Sequence, residues 1–277
     1  TAQSYYEEGL TAAMKGDVPL ALARFRRALE LDVQLHNARY QIGKCLLRMG
    51  QAGEALPHLL DAAKQLAMAQ PLVDAGYALL LLGKAEEART KFSDALQIKP
   101  DDPRAVLGLA RCAVEKSQWE TAFNLSQHVL QLGYAHFDTH FLLARSADHC
   151  GQPEIAAKNY EKAQELLEQT IDANPDQPSG YFLRGKVYFH QENYKAALED
   201  FEDALKRTDG ITHYCAYREH FTVLDILCFK GTCLEQHGRI EDAQAIGQKI
   251  LELVPDNETG KRLAALKSEA KPGKDKA

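Results

Sequence analysis

The feature that most constrains this chain is a period of about 34 residues running through most of its 277 positions. Its beat is a turn dipeptide between two amphipathic stretches: Gly16-Asp17, Gly50-Gln51, Gly83-Lys84, Ser117-Gln118, Gly151-Gln152, Glu192-Asn193 and Gly238-Arg239. Successive beats lie 34, 33, 34, 34, 41 and 46 residues apart. A small residue recurs before each turn (Gly9, Gly43, Gly76, Ala110, Ala144, Gly185, Gly231) and an alanine after it (Ala21, Ala55, Ala88, Ala122, Ala156, Ala197, Ala243). Helical periodicity on both sides of a turn makes each repeat one helix-turn-helix unit. Such a unit cannot bury its apolar face alone, so copies stack into a solenoid.

With 45% hydrophobic and 26% charged residues, the composition is that of an ordinary globular protein. A net charge of −6 argues against general nucleic-acid binding. No run of 18 or more apolar residues occurs, so the chain contains no membrane span. The six cysteines form no CxxC pair, and Cys45, Cys112 and Cys233 share one repeat position, two residues after the small helix residue. They read as packing residues, and unpaired cysteines favour the cytoplasm. The chain begins at Thr1, which leaves open a periplasmic or membrane-tethered protein with a removed N-terminal segment.

The pattern resembles the tetratricopeptide repeat, whose signature runs W-x2-L-G-x2-Y, then Ala, an aromatic, Ala and Pro. The sixth repeat carries Tyr181, Gly185, Tyr188, Ala197, Phe201 and Ala204; the third carries Gly76, Ala88, Phe92, Ala95 and Pro100; the first carries Tyr5, Gly9, Ala21, Phe25 and Ala28. Repeats four and seven are degenerate, with Ser126 and Gly247 at the aromatic position. The resemblance implies an all-α fold, a right-handed α-solenoid superhelix of about seven repeats. These span 3–36, 37–69, 70–103, 104–137, 138–178, 179–212 and 222–256, with a capping helix over 257–270 and a polar tail over 271–277. On this reading residues 1–270 form a single solenoid.

Two steps break the period. The 41-residue step places seven extra residues in 154–174, two helical turns that lengthen one helix without moving its apolar stripe. The 46-residue step adds twelve residues around Thr208 to His220. That insertion reads either as an ordered loop, broken at Asp209-Gly210, or as an over-long first helix of the seventh repeat.

Motifs of chemistry are weak. Gly180 to Val187 nearly spells a phosphate loop, but Val187 stands where a hydroxyl is needed and the stretch lies inside a helix. His136 and His140 are four apart without zinc-type spacing around them, and the carboxylates Glu199, Asp200, Glu202 and Asp203 read as a solvated face. The chain reads as non-enzymatic, without a cofactor or metal.

The family resemblance further implies that the fifth and ninth residues of each first helix face a concave groove. The fifth positions include Tyr40, Phe141 and Phe182, and the ninth include Lys44, Tyr77, Arg111, Arg145 and Lys186, with Arg48, Arg104, His149 and His190 flanking them. Residues four apart meet on a helix, so Tyr40/Lys44, Phe141/Arg145 and Phe182/Lys186 form three aromatic–cation pairs. Six groove cations (Lys44, Arg48, Arg104, Arg111, Arg145, Lys186) stand against three acids (Glu115, Asp138, Asp148), a net +3 on a chain of −6. Such a groove suits an acidic peptide or helix of a partner protein. Alternatively the cations merely cover apolar surface with their stems. If Arg111 and Arg145 face the groove, reversing both to Glu leaves the melting behaviour nearly intact. The Lys and Asn residues with which some members clamp acidic chaperone tails are not reproduced, since Tyr6, Leu10, Gln41, Gln70 and Asp74 stand there. Two further readings remain open: a scaffold that self-associates, and an RNA-binding helical repeat, the latter disfavoured by the acidic chain.

Overall fold

The computed structural model describes residues 1–208 and 213–267. Seven helix pairs follow one another: α1 (Ala2–Met14) with α2 (Val18–Leu31), α3 (His36–Arg48) with α4 (Ala52–Leu66), α5 (Ala69–Leu81) with α6 (Ala85–Ile98), α7 (Pro103–Glu115) with α8 (Trp119–Gln131), α9 (Phe137–His149) with α10 (Pro153–Ala173), α11 (Pro178–His190) with α12 (Tyr194–Lys206), and α13 (Val223–Gln236) with α14 (Ile240–Leu253). A short helix, α15 (Glu258–Ala264), comes last.

The beat residues are where the backbone reverses. Gly16, Gly50, Gly83, Gly151 and Gly238 hold φ between +68° and +81°, and Ser117 and Glu192 take the same left-handed region at +56° and +58°. Glycine does this freely, whereas a side chain there costs about 1–2 kcal/mol. Second helices start just beyond, capped at α2 and α12 by Asp17 and Asn193 accepting from the Leu20 and Ala196 amides.

Packing explains the recurrent small residues. Phe92 is fully buried, wedged against two glycines: a Cβ added at Gly76 would lie 2.6 Å from its ring, and one at Gly108 2.3 Å. The aromatic of α6 therefore fills the space that the first helices α5 and α7 leave empty. Phe25 and Phe201 are likewise fully buried, and so are the alanines that follow each turn. Cys45, Cys112 and Cys233 are buried among these helices.

The chain divides into two compact units. Unit 1 is Thr1–Lys162 together with His213–His220, and unit 2 begins at Ala163 and omits that segment. In unit 1, first helices adjoin first helices in series, α3 with α5, α5 with α7 and α7 with α9. In unit 2 the series is α11 with α13 and α13 with α15.

The irregular steps resolve differently. The longer helix is α10, of 21 residues where its counterparts have 13 to 15. The insertion is not an over-long helix: its described part is an ordered connection. Residues 209–212 lie outside the described residues, and beyond them β1 (Tyr214–Ala216) and β2 (Glu219–Phe221) pair as a hairpin. Its turn residues, Tyr217 (φ +50°) and Arg218 (φ +57°), are both left-handed, as a type I′ turn requires. A helix cannot contain such a pair. At the C-terminus α15 stops at Ala264, short of the 257–270 span read from sequence. Leu263 is its last buried side chain, and residues 268–277 lie outside the described residues.

Candidate functional site

Residues 213–220 lie in sequence between α12 and α13, yet they pack within unit 1 against its first helices. The hairpin turn sits on α5, α7 and α9. The Arg111 guanidinium of α7 donates to the main-chain carbonyls of Arg218 and Tyr217, at 3.3 and 3.4 Å. The Glu219 carboxylate stands 3.1 Å from the same guanidinium. Arg218 in turn reaches Asp138, the second residue of α9, at 3.4 Å, and donates to the Tyr134 hydroxyl at 2.9 Å. Its guanidinium lies over the Tyr77 ring, 5.2 Å from the centroid, and that of Arg111 lies 5.7 Å from the same centroid. The Tyr217 ring packs on Phe137 at 5.4 Å.

Asp138 is the centre of this arrangement. Its side chain is 1% exposed and lies 3.7 Å from Arg111 as well as 3.4 Å from Arg218. Burial pushes its carboxyl above the usual range, and the two guanidiniums pull the other way. With Glu219 the four charges sum to zero. That balance is what a desolvated charge cluster needs, because an unpaired buried charge is costly.

At the other end of the hairpin, His213 packs on the beat glycine of repeat two. A Cβ at Gly50 would lie 2.4 Å from its ring. His213 Nε2 shares a hydrogen bond of 2.8 Å with His220 Nδ1, and Cys215 Sγ lies 3.5 Å from His220 Nε2. Burial, then the neighbouring His213, lowers the His220 imidazole to about 4. Between hairpin and helices a cavity of about 130 Å³ remains, lined by Lys44, Leu47, Arg48, Asp74, Tyr77, Cys215, Arg218 and His220.

The residues singled out from sequence fall into several settings. All three aromatic–cation pairs are present: Lys44 over Tyr40 at 5.4 Å, Arg145 over Phe141 at 5.7 Å, and Lys186 over Phe182 at 5.7 Å. Lys44 and Arg48 are exposed at the cavity rim. The Tyr40 hydroxyl donates to Asp74 at 2.7 Å, one repeat further on. Tyr77 is buried, and its hydroxyl donates to the carbonyl of Arg104. Arg104 itself pairs with the helix-capping Asp102 at 3.5 Å. Phe141 is buried beside Phe137, and Arg145 lies over both Phe141 and Trp119, whose indole stacks on His149 at 3.6 Å. In unit 2, Phe182 is buried against Phe221 and Phe229, with Lys186 over the Phe229 ring and His190 beside Phe189.

Burial overturns one expectation. Arg111 is 17% exposed and paired to Asp138 and Glu219, and Arg145 is half-buried with its Nε lacking a hydrogen-bond partner among the described residues. Reversing both to Glu would therefore set carboxylates beside Asp138 and Glu219 and unfold the cluster. The sequence reading missed Arg218, Tyr217 and His213. The only available signal was the length of the insertion.

Comparison with known proteins agrees with this architecture. Residues 6–71 and 151–210 match one tetratricopeptide repeat model, and residues 79–124 match a second. The chain belongs to the tetratricopeptide repeat family. It is 20% identical over 269 residues to the DnaJ homolog subfamily C member 3 of Bos taurus, covering 91% of this chain and 52% of that protein. The chain thus spans about half the length of that relative. A tetratricopeptide repeat protein from Parabacteroides merdae superposes with a TM-score of 0.59 at 16% identity, covering 95% of this chain and 96% of the other. An IFIT1 N216A monomeric mutant bound to m7Gppp-AAAA superposes with a TM-score of 0.69 at 16% identity, over 95% of this chain and 61% of the other. Proteins of the family generally mediate protein–protein interactions and scaffolding.

Proposed function

We propose that the chain is a non-enzymatic protein-interaction module that holds an acidic segment of a partner against the first helices of unit 1, around Lys44 and Arg48. One observation carries this reading. Lys44 and Arg48 are exposed one helical turn apart on α3, neither is paired with a carboxylate among the described residues, and they rim the cavity beside Asp74 and Tyr77. A carboxylate placed there gains charge-assisted hydrogen bonds, worth roughly 1.5–3 kcal/mol each. The cavity itself offers an apolar seat at Leu47. The other groove cations read from sequence contribute less, because Arg104 and Arg111 already hold carboxylates of this chain.

The test is the double variant Lys44→Glu with Arg48→Glu. Helical content and melting stay near wild type, since exposed charges contribute little to stability. Affinity for the natural partner falls at least tenfold at low ionic strength, with a smaller difference at high ionic strength. Unchanged affinity on a folded protein would move the site elsewhere. A concentration-dependent mass in that case would favour the self-associating scaffold.

A further inference from the structure

The hairpin is seated as a ligand would be. Its contacts with α5, α7 and α9 come from three consecutive residues, and each is read by a separate feature of the helices. The Tyr217 ring packs at a tilt on Phe137. Arg218 enters between the Tyr77 and Tyr134 rings to reach Asp138, and Glu219 meets Arg111. Arg111 also reads the main chain, donating to both carbonyls of the turn. Both turn residues are left-handed without being glycine. The resident segment is thus held in a conformation that a free chain avoids, and the helix contacts must over-determine it.

We propose that the α5–α7–α9 face of unit 1 is a receptor for an aromatic–arginine–acid turn, that Tyr217-Arg218-Glu219 occupies it as a built-in competitor, and that a partner segment of the same chemistry displaces it. The inference rests on the reading of the chain as an interaction module and adds a second, distinct ligand chemistry. The recognised group is a guanidinium, because the Asp138 carboxylate, 1% exposed, faces the seat and lies within 3.4 Å of the resident one. Arginine is preferred to lysine, since its planar fork reaches the Tyr134 hydroxyl and Asp138 through one nitrogen while its face lies over Tyr77. A tethered competitor acts at a high effective concentration, so it masks the receptor against weak ligands and yields only to a better one.

The experiment uses the full chain and a fluorescent synthetic peptide of residues 213–221, without the natural partner. In the chain variant Arg218→Glu, the resident turn presents a carboxylate to Asp138 and leaves its seat. That variant binds the peptide at least tenfold more tightly than the wild-type chain does. The same peptide carrying Arg218→Ala binds it at least tenfold more weakly, and one carrying Arg218→Lys falls between. Helical content and melting are measured in parallel. A second chain, with residues 213–220 replaced by glycine and serine, gives the same ranking and decides the matter if the first variant misfolds. Equal affinity for wild-type and opened chains, no binding to the opened chains, or no discrimination between the peptides overturns the proposal. Because Lys44 and Arg48 are untouched, such a failure leaves the acidic-segment reading intact, and failure of that reading does not affect the peptide ranking.

Discussion

Arg218, at the tip of a hairpin, and Asp138, in the first turn of α9, meet at 3.4 Å across 80 residues of sequence. The two ends of this pair are not equivalent. Asp138 is fixed in a helix, 1% exposed, with Arg111 as a second partner, whereas Arg218 belongs to a two-stranded ribbon that water can receive.

This asymmetry sets the first prediction. Asp138→Ala removes the buried carboxylate that both guanidiniums share, leaving Arg111 to Glu219 and Arg218 to the Tyr134 hydroxyl, and costs about 3–5 kcal/mol. Arg218→Ala leaves Asp138 its pairing with Arg111 and costs about 1–3 kcal/mol, mainly by loosening the hairpin. Urea unfolding of both variants checks the order. An equal or reversed cost would mean that the hairpin, not α9, anchors the cluster.

Gly50 supplies a local probe of the same docking. Gly50 and Gly83 occupy the same repeat position at φ +76° and +71°, but only Gly50 faces His213. Alanine at either position meets the backbone penalty of about 1–2 kcal/mol. At Gly50 the methyl also collides with the His213 ring. Hydrogen exchange of the amides in 214–221 should therefore accelerate in Gly50→Ala and stay unchanged in Gly83→Ala. Matching exchange in the two variants would separate the hairpin from the Gly50 turn.

The sequence carried the helices and not the hairpin, for a physical reason. Gly76, Phe92 and Gly108 are local to one repeat and its neighbour, and their spacing repeats along the chain, so the packing they make is visible as a pattern. The hairpin offers no such cue. Its turn residues are Tyr217 and Arg218 where a left-handed pair normally announces itself with Asn or Gly, and the hydrogen-bond partners of that turn lie 80 to 107 residues away. The contacts among the residues read as a groove were legible in part for the same reason. The three aromatic–cation pairs depend on i, i+4 geometry within one helix and are all present. Whether Arg111 was open or occupied depended on a segment elsewhere in the chain.

Phe92 tests the repeat packing itself. Phe92→Ala removes a fully buried ring between Gly76 and Gly108 and should cost about 3–5 kcal/mol. Gly108→Ala, which places a methyl where the ring stands, should cost about 1–3 kcal/mol by overpacking. If the two are combined, the alanine at 108 partly fills the space left by the ring, so the total should fall short of the sum. Strict additivity in denaturant unfolding would show that the ring and the glycine do not share that space.

Acid should release the hairpin. The docked His220 imidazole is lowered to about 4 by burial and by His213, from an ordinary value near 6.5. Between those values the undocked segment binds a proton that the docked one excludes, so docking is fully favoured above about pH 6.5 and weakens as pH falls toward 4. The loss amounts to about 3 kcal/mol at most. Burial sets this direction, and the charged groups around the imidazole modify it. His213 and Arg111 oppose a further positive charge and Glu219 favours it, while Lys44, Arg48, Asp74, Cys215 and Arg218 line the cavity beside the ring. Hydrogen exchange of the amides in 214–221, followed from pH 7 to 4.5 with correction for intrinsic rates, should show protection falling through this window in the wild type. In His220→Gln, which keeps hydrogen-bonding groups but cannot titrate, protection should be flat. Parallel pH profiles in the two proteins would assign the acid sensitivity to another group.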